Sequence, residues 1–98
     1  MKILIVDDER SIRNSLKEIL VDEGYDVDVA ENGVQGCDMV DKEKYSVIFC
    51  DIKMPEMDGM EFLDKINAMG VDAAVVMISG HGDIQTAVEC IKKGAFDF

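Results

Sequence analysis

The sequence has no tryptophan, one histidine, one proline and three cysteines. Cys37, Cys50 and Cys90 are an odd number with no close pair, so neither a disulfide framework nor a zinc site is expected. They read as small hydrophobes in a reducing compartment. No apolar stretch approaches the ~20 residues that a membrane span needs. Met1-Lys2 runs straight into an aliphatic segment, with no small-residue cleavage site of a signal peptide. A cytoplasmic protein with no membrane partner is expected. Positive charge is also scarce, with 10 Lys and Arg against 21 Asp and Glu and a net charge of −11. That balance argues against direct nucleic-acid binding. It suits a pocket that takes up a cation. No linker, repeat or low-complexity tract divides the 98 residues, which points to one domain over 1–98.

What is present is an alternation of strand and helix signals. Ile3-Leu4-Ile5-Val6 is a continuous aliphatic run, as expected of a strand buried on both faces, and it stops at Asp7-Asp8-Glu9. Ser11 offers a helix cap, and Ile12, Leu16, Ile19 and Leu20 form one apolar stripe that Gly24 closes. Val27 and Val29 alternate with Asp26 and Asp28, as in a strand with one wet face near a sheet edge. Asn32-Gly33 opens a helix over 34–42 with Val34, Cys37 and Val40 inward. Residues 45–50 form a further buried strand. Asp58 caps a third helix with Phe62, Leu63, Ile66 and Met69 inward, closed by Gly70. Residues 73–78 form another apolar strand. Asp83 caps a fourth helix, and 95–98 begins a fifth strand. Such alternation predicts a parallel sheet with helices on both faces, an α/β doubly wound fold. The last strand barely begins and no helix follows it, so the natural protein is expected to continue beyond Phe98.

The chemistry concentrates where strands end. Val47-Ile48-Phe49-Cys50 terminates on Asp51, and a turn with Pro55 follows. Asp7 and Asp8 terminate the first strand. In the strand order 2-1-3-4-5 these two strands are neighbours, and sites form outside their carboxyl ends. Three converging carboxylates repel one another unless a cation neutralises them. Mg²⁺ suits this set, since it prefers hard oxygen ligands and few of them from protein. An aspartate beside such a metal can act as a nucleophile toward a phosphoryl group. Ser79 ends the fourth strand and brings a hydroxyl to the same rim. Charge on Asp51 could draw it in and move the following glycine-flanked loop.

The stretches at 3–9, at Asp51-Ile52-Lys53-Met54-Pro55-Glu56-Met57-Asp58-Gly59, at Ser79-Gly80-His81-Gly82 and at Gly94-Ala95-Phe96-Asp97-Phe98 occur in order at the expected strand ends. On these motifs the chain resembles the receiver domain of bacterial two-component response regulators. The last two look most like regulators whose central ATPase activates sigma-54 transcription. The resemblance implies a flavodoxin-like sheet of order 2-1-3-4-5, here truncated in strand 5 and lacking the last helix. It implies that Asp51 is the phosphoacceptor, and that Asp8 is a direct Mg²⁺ ligand with Asp7 holding metal-bound water. The backbone carbonyl of Lys53 would be a further ligand. Ser79 matches the switch hydroxyl and Phe98 the switch aromatic. Lys53 and His81 fall at positions that tune phosphoryl lifetime. The family's phosphoryl-contacting lysine would lie about three residues beyond Phe98, outside this chain.

The implied partners are a sensor histidine kinase and an output domain, such as a sigma-54-type ATPase with a DNA-binding domain. The apolar sheet face left by the missing helix also suits a homodimer. The domain would be a signalling switch and no enzyme in the ordinary sense. A Mg²⁺-dependent phosphatase fits less well, because the second acid expected two residues after the nucleophile is Lys53. A flavin module is disfavoured because Asp7-Asp8-Glu9 would repel phosphate. A degenerate receiver that acts only through protein contacts is the remaining alternative.

Overall fold

Strands and helices alternate through the computed structural model, which describes residues 2–52 and 54–78. The order is β1 (Lys2–Val6), α1 (Arg10–Asp22), β2 (Asp26–Ala30), α2 (Gly33–Lys42), β3 (Val47–Asp51), α3 (Gly59–Ala68) and β4 (Ala74–Ile78). The strands form one parallel sheet in the order β2-β1-β3-β4. The expected α/β fold and the first four places of the 2-1-3-4-5 order are therefore observed. The fourth helix and fifth strand read from the sequence lie outside the described residues.

Burial explains why β1 carries no polar residue after Lys2. Leu4 and Val6 join a core with Ile48, Cys50, Phe62, Leu63 and Ile66, on the face covered by α2 and α3. Ile3 and Ile5 point the other way, into a smaller cluster with Val27, Leu16 and Leu20 under α1. Period-2 alternation thus feeds two cores from one strand. Asp28 in β2 shares the sheet face of Ala30. Its carboxylate is held by Lys2 Nζ at 3.5 Å and by the Tyr45 hydroxyl, which donates at 2.7 Å.

Several local signals act as read. Asn32 Oδ1 accepts from the Gln35 amide at 2.8 Å, and Asp58 Oδ1 accepts from the Glu61 amide at 2.9 Å. Each such cap contributes about 1 kcal/mol. Gly24 and Gly70 follow α1 and α3 with φ of 94° and 71°, the left-handed conformation that ends helices cheaply only in glycine.

Four expectations are corrected. Ser11 does not cap α1. The N-cap is Glu9, and the turn before it is organised by Asp7 Oδ1 accepting the Glu9 amide at 2.9 Å. Ile19, Val34 and Met69, assigned inward from periodicity, are 60%, 53% and 43% exposed. Val34 lies in the first turn of α2 and Met69 is the C-cap of α3. The buried face of α1 carries Arg13 with the half-buried Leu16 and Leu20, and Ile19 falls beside it.

Candidate metal centre

Strand register sets the site. Val6 lies opposite Cys50, so the next residues, Asp7 and Asp51, leave neighbouring strands at the same level. Asp8 follows directly. One carboxylate oxygen from each of Asp7, Asp8 and Asp51 lies within 4.8 Å of the others. Asp7 is buried, Asp51 half-buried and Asp8 exposed, so the cluster opens from the sheet end toward solvent.

Asp7 is the most constrained of the three. Its amide donates to the Ala30 carbonyl at 3.1 Å, and its carbonyl accepts from Arg13 Nη1 at 2.8 Å. Its Oδ1 takes the Glu9 amide, while Oδ2 is buried without a hydrogen-bond partner. A buried carboxylate oxygen with no donor is costly, of order 1–3 kcal/mol. Desolvation is the main reason that the Asp7 carboxyl is pushed above its ordinary value of 3.8. The Glu9 amide opposes this shift, Asp8 and Glu9 reinforce it through like charge, and Arg13 acts against it. An orphaned buried oxygen, two further acids and an open side together fit a hard divalent cation.

On the other side of Asp51 the chain turns sharply into α3. Glu56 adopts φ of 69°, the Met57 amide donates to the Pro55 carbonyl at 2.8 Å, and the Gly59 amide reaches back to the Ile52 carbonyl at 2.7 Å. A Cβ at Gly59 would fall onto the Asp51 carbonyl oxygen and within 2.8 Å of Ile52 Cα and the Met77 methyl. Only glycine allows α3 to start this close to the end of β3. Met54 and Met57 are buried in the main core, which anchors the loop beside Asp51.

Asp7, Asp8 and Asp51 are thus brought together as the sequence indicated. The carbonyl of Lys53, the hydroxyl of Ser79, His81 and the ring of Phe98 lie outside the described residues. Arg13 was missed. The usable signal was its spacing, three residues before Leu16 and seven before Leu20, which puts an arginine on the buried stripe of α1.

None of the described helices is long and apolar enough to cross a membrane. Across the chain, residues 3–98 match the family model of the response regulator receiver domain. The chemotaxis protein CheY of Listeria monocytogenes is 42% identical over 99 residues, which cover all of this chain and 83% of that protein. The nitrogen assimilation regulatory protein NtrX of Azorhizobium caulinodans is 44% identical over 98 residues. That match covers 98% of this chain and 22% of the relative, so the chain spans about a fifth of the length of relatives of this kind. Among solved structures, the signal receiver domain of a putative LuxO repressor protein from Vibrio parahaemolyticus superposes with a TM-score of 0.94 at 34% identity. The superposition covers 99% of this chain and 75% of that one. The acids at the strand ends, the 2-1-3-4 sheet and these matches agree: the chain belongs to the response regulator receiver family.

Proposed function

We propose that residues 1–98 act as the phosphoacceptor switch of a two-component response regulator, with Asp51 taking a phosphoryl group from a histidine kinase while Asp7 and Asp8 hold Mg²⁺ beside it. The observation that carries this reading is the convergence of three carboxylates within 4.8 Å, one with a buried oxygen that has no hydrogen-bond partner among the described residues. Such an arrangement is costly in the metal-free protein, and a bound cation would relieve that cost.

In this reading an Asp51 oxygen attacks phosphorus as the phosphorus–nitrogen bond to the donor histidine breaks. Histidine is the leaving group, and an acyl phosphate forms. Asp51 reaches this role half-buried, at the carboxyl end of β3. Asp7 and Asp8 would hold the hydrated ion. The bound ion supplies charge neutralisation on the transferred oxygens, the main demand of phosphoryl transfer. The Lys53 carbonyl would complete the ligand set, the Ser79 hydroxyl would bond the new phosphoryl group, and the Phe98 ring would follow it. The domain catalyses its own phosphorylation and hydrolysis, and a change in the face expected around the fourth helix and fifth strand controls an output domain. This chain covers 22% of the NtrX relative, which supports an output segment elsewhere in such proteins; a sigma-54-type ATPase with a DNA-binding domain, acting in transcription, is the output that the motif resemblance implies.

Incubation with acetyl phosphate and Mg²⁺ followed by intact mass measurement tests the reading. The expected result is a gain of one phosphoryl group that is absent from Asp51→Asn. An unchanged mass in the wild-type chain would reject the switch and leave a passive interaction module.

A further inference from the structure

A buried cation stands behind the three acids. Arg13 is only 8% exposed. A guanidinium in that position needs firm partners, because burying an unpaired charge is expensive. Its Nη1 donates to the Asp7 backbone carbonyl at 2.8 Å. Its Nη2 lies 3.8 Å from Glu31, whose side chain is 70% exposed, so that pair is weak. The carbonyl bond is therefore the one that matters.

The choice of acceptor is informative. An arginine that bonded the Asp7 carboxylate would occupy the oxygen a metal needs. This one grips the backbone of the same residue and leaves Oδ2 uncommitted. With the amide on Ala30 and Oδ1 on Glu9, Asp7 is then held at three points. Glu31 lies directly after β2, so Arg13 also spans the turns that follow β1 and β2, from its place in the first turns of α1.

We propose that Arg13 is a positioning residue of the metal centre: its bond to the Asp7 carbonyl locks the turn between β1 and α1 so that Asp7 Oδ2 and Asp8 face Asp51. This rests on the metal-binding reading above and adds to it a residue that touches neither metal nor phosphoryl group. Residues that orient metal ligands from behind typically matter 10–100-fold in metal affinity.

The test uses the full chain, titrated with Mg²⁺ by calorimetry, beside amide hydrogen exchange in metal-free buffer. Arg13→Met is expected to weaken Mg²⁺ binding about tenfold or more. Without metal, it is expected to speed exchange at the Glu9 amide, whose acceptor is Asp7 Oδ1. Arg13→Lys, which keeps a donor within reach of the carbonyl, is expected to recover most of the affinity. If Arg13→Met does not fold, Arg13→Gln takes its place with the same expectation. Wild-type Mg²⁺ affinity in a folded Met or Gln variant overturns the proposal, even if its urea midpoint falls, because that pattern marks a purely structural arginine. Failure of the wild-type chain to bind Mg²⁺ overturns the metal reading itself, and the role of Arg13 with it.

Discussion

Two groups of acids on the same sheet are treated in opposite ways. Toward the amino ends of the strands, Lys2 lies 3.5 Å from Asp28 and 3.1 Å from Glu43, and the Tyr45 hydroxyl bonds Asp28. Lys2 also sits over the Tyr45 ring, 5.9 Å from its centroid. Every charge in this group has a counterpart within the protein. Toward the carboxyl ends, Asp7, Asp8 and Asp51 crowd together, and the nearby Arg13 spends its bonds on a backbone carbonyl and on Glu31. Titration follows the same division. The Lys2 ammonium is favoured, chiefly through its bond to Glu43, whereas the buried Asp7 is pushed toward its neutral form. One group pairs its charges within the fold, and the other concentrates negative charge at the sheet end.

Four experiments break or sharpen this contrast. The largest effect is expected at Asp51. Asp51→Asn should abolish labelling by acetyl phosphate in intact mass spectra, whereas Asp28→Asn should label within about twofold of wild type, since neutralising a closed group touches no chemistry. Next is Gly59→Val, which forces a branched side chain against the Asp51 and Ile52 backbone. Urea unfolding should show a loss of about 3 kcal/mol; a loss under 1 kcal/mol would mean that α3 can shift away at little cost.

Asp7→Asn should act in the other direction. In metal-free buffer near neutral pH it should stabilise the fold by about 1–2 kcal/mol, the scale of one unsatisfied buried acceptor, and it should abolish stabilisation by Mg²⁺. The pH dependence has a definite sign. The folded pKa of Asp7 lies above its unfolded value near 3.8. Its contribution is therefore fully favourable below 3.8 and is lost as pH rises through the folded value. The advantage of the Asn variant should open toward neutral pH and close in acid; an advantage that grew in acid would contradict the burial argument. The smallest effect is Tyr45→Phe. It removes the hydroxyl from Asp28 and should cost about 1 kcal/mol in thermal or urea unfolding without changing Mg²⁺ affinity.

The legibility of this chain in its sequence followed the same division. Strand ends, glycine stops and the caps at Asn32 and Asp58 were readable because each depends on a few adjacent residues. The three acids were readable because each directly follows or ends an apolar run, and parallel pairing places those ends together. Helix faces were less so. Ile19 and Met69 sit at plausible spacing, yet the stripe that α1 buries is narrower than periodicity suggests, and Met69 caps its helix beyond the sheet. Spacing places Arg13 on the buried stripe of α1, but its link to the acids was not legible because its partner is a backbone carbonyl, a group with no letter in the sequence. The bond from Tyr45 to Asp28 escaped for a related reason. It joins residues 17 apart, and only the pairing of β1 with both β2 and β3 brings them together.

Gly59 carries one more consequence. With no side chain between α3 and the end of β3, the Asp51 carbonyl and the first turn of the helix are in direct contact. Packed protein is hardly compressible, so no cushion exists there to absorb a displacement. β3 and α3 thus meet at residue 59 with nothing between them, so a displacement imposed on Asp51 bears directly on the opening turn of the helix.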